Sequence, residues 1–113
     1  MPIVVNDPNI APASWKCAQN YAFRVQVGTG VVNPNDYAVQ IDASGAASTI
    51  TLPSAAANPG RKLLLKKKDS SANAVTIAPS GSDTAELTSL ATQNKYVVLM
   101  SDGISNWAVF GNN

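Results

Sequence analysis

The chain has no histidine and a single cysteine, Cys17. Without histidine, a Ser-His-Asp or Cys-His catalytic set cannot be assembled. Serines such as Ser70 and Ser71 then have no imidazole to activate them. A structural zinc site needs about four Cys or His ligands, and one thiol cannot close a disulfide within the chain. Charge is scarce too: 8 basic and 7 acidic residues in 113, or 13%, against roughly 25% in ordinary soluble proteins. A net charge of +1 argues against nucleic-acid binding driven by phosphate contacts. Apolar runs are only a few residues long, far short of the ~20 that span a membrane as a helix. The opening stretch MPIVVNDPNIAPASWK has no basic region followed by an apolar run, so it does not read as a signal peptide. The expectations are cytoplasmic synthesis, a reduced and partly buried Cys17, and no catalytic residues, metal, cofactor, nucleic acid or membrane partner.

What is present is uncharged polarity. Serine, threonine and asparagine make up 29 residues, and 17 more are alanine. A surface of that kind gives little electrostatic protection against association, so a protein meant to associate is expected. The length fits one domain.

Residues 1–20 carry Pro2, Pro8 and Pro12, which forbid a stable helix. The segment reads as an extended arm holding Ile3, Val4, Val5, Ile10 and Trp15. A solvated tail would not need those side chains. They are candidates either to pack on the arm's own domain or to reach a neighbouring subunit or larger particle.

Residues 21–113 read as a β domain. YAFRVQV (21–27) alternates with period two, which predicts a half-buried strand with Tyr21, Phe23, Val25 and Val27 on one face. Further strands are expected over 37–42, 47–52, 61–68, 74–78, 95–101 and 106–110. The separators carry turn chemistry: Asn33-Pro34-Asn35-Asp36, a Pro59-Gly60 type II turn, and the hairpin dipeptide Asp102-Gly103. Residues 82–94 fit a short helical turn or short extended pieces equally well. About seven short strands without a long helix predict an all-β fold, a single small β-sandwich or β-barrel with an N-terminal arm. No strict repeat period is visible, so a solenoid or propeller is not expected.

Two clusters invite a functional reading. Leu63, Leu64 and Leu65 make one strand apolar on both sides, suited to the centre of a sheet or to a subunit interface. Arg61, Lys62, Lys66, Lys67 and Lys68 flank them as a surface charge patch. No aromatic lies between Tyr37 and Tyr96 to stack bases beside it, so the lysines are read as guards against edge aggregation, with contact to an acidic protein surface as the other reading. Trp15, Tyr21, Tyr37, Tyr96 and Trp107 could build a sugar platform. Trp107 leads that group, with a core or subunit-interface role as its other reading. The acids fall mostly in turns, and no pair suggests glycosidase chemistry or a calcium loop.

From Asp36 to Gly111 the chain resembles a module of tailed-bacteriophage virion proteins. The stretches that carry the likeness are Thr49–Pro53 (TITLP), Asn58–Gly60 (NPG), Arg61–Asp69 (RKLLLKKKD), Ser70–Ile77 (SSANAVTI) and Val97–Gly111 (VVLMSDGISNWAVFG). Where that pattern often has Thr-Ile-Asp-Gly, this chain has Thr84-Ala85-Glu86-Leu87. Such modules occur in capsid decoration (cement) proteins and in head and tail fibres, commonly as β-rich homotrimers. The resemblance implies a virion protein made in the bacterial cytoplasm. It would sit as a homotrimer on the capsid exterior and bind the phage major capsid protein through the arm. The alternative it implies is a fibre or tail-tip module that binds a host-surface glycan or receptor.

Overall fold

The structure, a computed structural model, describes residues 22–113. Ten strands and no helix are found among them: β1 (Ala22–Val27), β2 (Gly30–Val31), β3 (Asp36–Asp42), β4 (Ser48–Thr51), β5 (Lys62–Lys67), β6 (Val75–Ala78), β7 (Thr84–Ala85), β8 (Ser89–Leu90), β9 (Tyr96–Ser101) and β10 (Asn106–Asn112). The seven expected strands are all present. The three added ones, β2, β7 and β8, have two residues each. Residues 82–94 thus take the extended reading.

The strands form two sheets, one of six in the order β1-β3-β5-β9-β10-β7 and one of four in the order β2-β4-β6-β8. From β1 to β6 the chain alternates between the sheets, and each strand lies parallel to the one two before it. This is a stack of three coils, which corrects the expectation that the chain would not wind as a solenoid. The coils are unequal: Val39 lies opposite Arg24, 15 positions back, and opposite Leu65, 26 positions on. Antiparallel β9 on β5 and β8 on β6 then end the parallel ladders, and the β9–β10 hairpin closes the fold.

One core lies between the sheets. Stacking in register aligns Val39 with Leu65 and Val97, Leu63 with Leu99, Ile50 with Ile77, and Val75 with Leu90. All of these side chains are buried, and Trp107 joins them. Each such Leu, Ile or Val stabilises the fold by about 1.5–3 kcal/mol relative to exposure. The Trp107 indole N–H donates to the Pro53 carbonyl at 3.2 Å, so its one polar atom is satisfied inside.

The six described acids hold the corners. Asp42 accepts the Ser44 N–H, Asp83 the Ala55 N–H and Glu86 the Val109 N–H. Asp36 accepts the Asn33 N–H. Asp69 accepts the Ala43 N–H at 2.7 Å and so ties one coil's corner to the next. Asp102 accepts three N–H groups, those of Ile104, Ser105 and Asn106, and fixes the hairpin. Gly60 (φ 70°) and Gly103 (φ 79°) take the left-handed conformation. At Gly60 the Arg61 N–H returns to the Asn58 carbonyl, as a type II turn requires.

Candidate binding surface

The first coil is where side-chain direction departs from the expected pattern. Parallel pairing sets Arg24 beside Val39 and Gln26 beside Ile41. Val39 and Ile41 point into the core, so Arg24 and Gln26 point inward as well. Phe23, Val25 and Val27 therefore face out, with exposures of 61%, 41% and 74%. The expected apolar inner face of β1 is corrected to an outer one.

The inward polar groups are satisfied. Arg24 forks onto Asp36: Nε lies 3.1 Å from Oδ1 and Nη2 lies 2.7 Å from Oδ2. Arg24 also donates to the Gln26 Oε1 and the Val31 carbonyl. Burial opposes the Asp36 charge, but bonds from Arg24 and the Asn33 N–H outweigh it and hold the carboxyl below its usual range. The Gln26 side chain donates to the Val27 and Thr29 carbonyls. It occupies the space a Cβ on Gly30 would need, so a larger residue there would have to displace the end of the Gln26 side chain.

On the outer face of the six-stranded sheet, register brings Phe23, Ala38, Leu64 and Val98 into one row across four strands. The next row runs Val25, Gln40, Lys66, Tyr96, and a third joins Lys62, Met100 and Ala108. Ala38 is small beside Phe23 and Leu64, and a shallow depression results, bordered by Gln40, Lys66 and Tyr96. The surface is mainly apolar, with two cations and, at its rim opposite Val27, Asp42. It offers apolar contact. Among the described residues, no group of three or more metal-ligating side chains is found.

The residues singled out in the sequence are distributed as follows. Ile3, Val4, Val5, Ile10 and Trp15 lie outside the described residues. Leu63, Leu65 and Trp107 are fully buried in the chain's own core, so they are corrected from subunit-interface candidates to core residues. Leu64 alone of the three leucines reaches the outer face. Trp107 is likewise withdrawn from any sugar platform.

The basic run is not one surface patch. Arg61 donates to the Asn33 and Asp36 carbonyls at 2.8 Å and to Asn58 Oδ1. Lys67 is fully buried, and its Nζ lies 2.7 Å from Asp69 Oδ2. Lys67 and Ser71 hold the Asp69 carboxyl far below its usual range. Within this run Lys62, Lys66 and Lys68 keep cations at the surface. Nor do the lysines guard an edge, since β5 is an inner strand. Sequence reasoning missed the outward direction of Phe23 and Val25. The signal was an arginine on the opposite face of the same strand with an acid, Asp36, twelve residues on.

No protein-family model matches the chain, and no curated protein matches it.

Proposed function

We propose that this chain is a structural virion protein of a bacteriophage that binds the capsid exterior as a homotrimer and cements contacts between major capsid proteins. Its action is binding, not catalysis. The observation that carries the reading, as that of a self-associating binding protein, is the first coil: the core closes without Phe23, Val25 and Val27, which are left facing outward on an edge strand. An exposed apolar group of this kind marks an interaction site. The likeness of residues 36–111 to phage virion modules gives the class of partner, and the many carboxylates fixed to corner N–H groups suit a rigid part. Arg61 and Lys67 are taken up internally, which fits a protein partner better than nucleic acid. The arm, with Ile3, Val4, Val5, Ile10 and Trp15, would add avidity, because three arms on one trimer engage the shell together.

The alternative of glycan or receptor binding by a fibre or tail tip loses Trp107, its leading aromatic, to the core.

The test is cosedimentation of the purified protein with mature shells that lack it. Saturable binding that raises the shells' resistance to heat or chelation supports the reading. Shells that leave all the protein in the supernatant overturn it.

A further inference from the structure

We infer that the outer face of the six-stranded sheet, centred on Phe23, Leu64 and Tyr96, is the surface by which copies of this chain bind one another. The inference rests on the proposed oligomer and names its interface.

Three observations carry it. The first is continuity. One apolar row, Phe23, Ala38, Leu64 and Val98, runs without a break from the edge strand β1 to β9. The row beside it has Val25 and Tyr96 at its ends with Gln40 and Lys66 between them, and β10 adds Ala108 to the Lys62–Met100 row. The outermost members, Phe23, Val25 and Val27, lie on an edge strand that has neither proline nor lysine. Edge strands are ordinarily blunted by proline, lysine or an inward-pointing charge. β1 carries the last of these in Arg24, so among the described residues it is the outward side chains of this rim, not its backbone edge, that are offered for contact.

The second is size. Strands lie about 4.8 Å apart and run to about 20 Å. The five strands β1, β3, β5, β9 and β10 thus present on the order of 500 Å² in flat projection. Projecting side chains raise the accessible area toward the ~800 Å² per partner of a standard stable interface.

The third is charge. The chain has 8 basic and 7 acidic residues, so two copies repel one another little. The face itself carries Lys62 and Lys66 with Asp42 at its rim. A strongly charged partner of either sign has little to grip here, whereas a second copy brings the same near-neutral apolar surface.

Threefold closure needs a heterologous contact, in which two different parts of the surface meet. The face supplies both: the projecting Val25–Val27 rim and the depression over Ala38.

The experiment uses the full chain and measures molar mass by light scattering over a wide concentration range. It compares the natural sequence, the double variant Phe23→Glu with Leu64→Glu, and Ile104→Glu as control. Phe23 and Leu64 lie outside the core, and Ile104 is exposed at the hairpin tip, so circular dichroism should show all three folded. A single outer substitution, Val25→Glu, serves if the double variant fails to fold. The expected result is a trimer for the natural chain and for Ile104→Glu, and an about threefold drop in mass for the face variants. A face variant that folds and stays trimeric overturns the inference. So does a natural chain that is monomeric at every concentration. If that monomer also protects positions 23 and 64 from side-chain labelling, residues 1–21 of the same chain are the occupant instead. Shell cosedimentation separates the two readings: a natural chain that is trimeric through this face but does not bind shells leaves this inference standing and removes the cement role.

Discussion

Arg24 and Asp36 form a bidentate ion pair inside the first coil, with Arg24 Nη2 2.7 Å from Asp36 Oδ2. Their pairing fixes which face of β1 turns inward, because the arginine finds its acid only on the inner side. Phe23, Val25 and Val27 are thereby set outside. The ion pair, the edge and the apolar surface are one arrangement.

Removing the arginine should therefore loosen the first coil. Arg24→Ala leaves Asp36 with only its Asn33 bond and is expected to lower stability by about 2 kcal/mol, the scale of hydrogen bonds to charged groups. Arg24→Lys should restore only part of this, since an ammonium cannot fork onto both oxygens. Urea unfolding of the two variants beside the natural chain checks both statements.

The two faces of β5 should respond differently to the same substitution. Leu65→Ala opens a cavity in the core and is expected to cost about 2–5 kcal/mol. Leu64→Ala, one position away on the outer face, opens no core cavity and, at a dilution where the chain is monomeric, should cost less than about 1 kcal/mol. Thermal unfolding at a single protein concentration measures the difference, and similar costs would mean the face assignment is wrong.

Acid should destabilise the fold progressively below about pH 4. Asp36, Asp42, Asp69, Glu86 and Asp102 are all held below their ordinary values by hydrogen bonds made in the folded state. For Asp102 the bonds are the Asn106 and Ile104 N–H groups, and for Glu86 the Val109 N–H followed by Asn106. A depressed carboxyl adds stability above its unfolded pKa, and that stability is lost as pH falls through the folded one. The loss should begin near pH 4, close to the unfolded values of about 3.9 and 4.3. With no histidine in the chain, no side chain with an ordinary pKa titrates between about pH 5 and 8. Denaturant midpoints measured against pH should be flat over that range and then drop.

The hairpin tip makes a local prediction. Gly103 holds φ 79°, and a Cβ there would stand 3.1 Å from the Pro59 Cβ. Gly103→Ala should cost about 1–2 kcal/mol from the left-handed conformation alone, with the contact adding to it. A melting-temperature shift reports it.

Much of this fold was legible in the sequence, because period-two alternation marks strands well. It also marked the strand through Leu63, Leu64 and Leu65 as apolar on both sides, which it is. Alternation does not say which face turns inward, and for β1 the satisfied Arg24 outweighed three apolar side chains. Strands of two residues, such as β2, carry no period at all. The coil winding was hidden because its pairings span 15 and then 26 positions, so no repeat length appears. Lys67 was readable in principle: it follows Leu63 and Leu65 at the same spacing and has Asp69 two residues on. Read as part of a basic run, it looked like surface charge.

We propose that this protein sits on the outside of a phage shell. The most direct test is to label the protein on intact virions of a phage whose genome carries the gene and to image them. The account predicts label spread over the capsid at repeating positions. Label confined to the tail or its fibres, or virions without the protein, would contradict it.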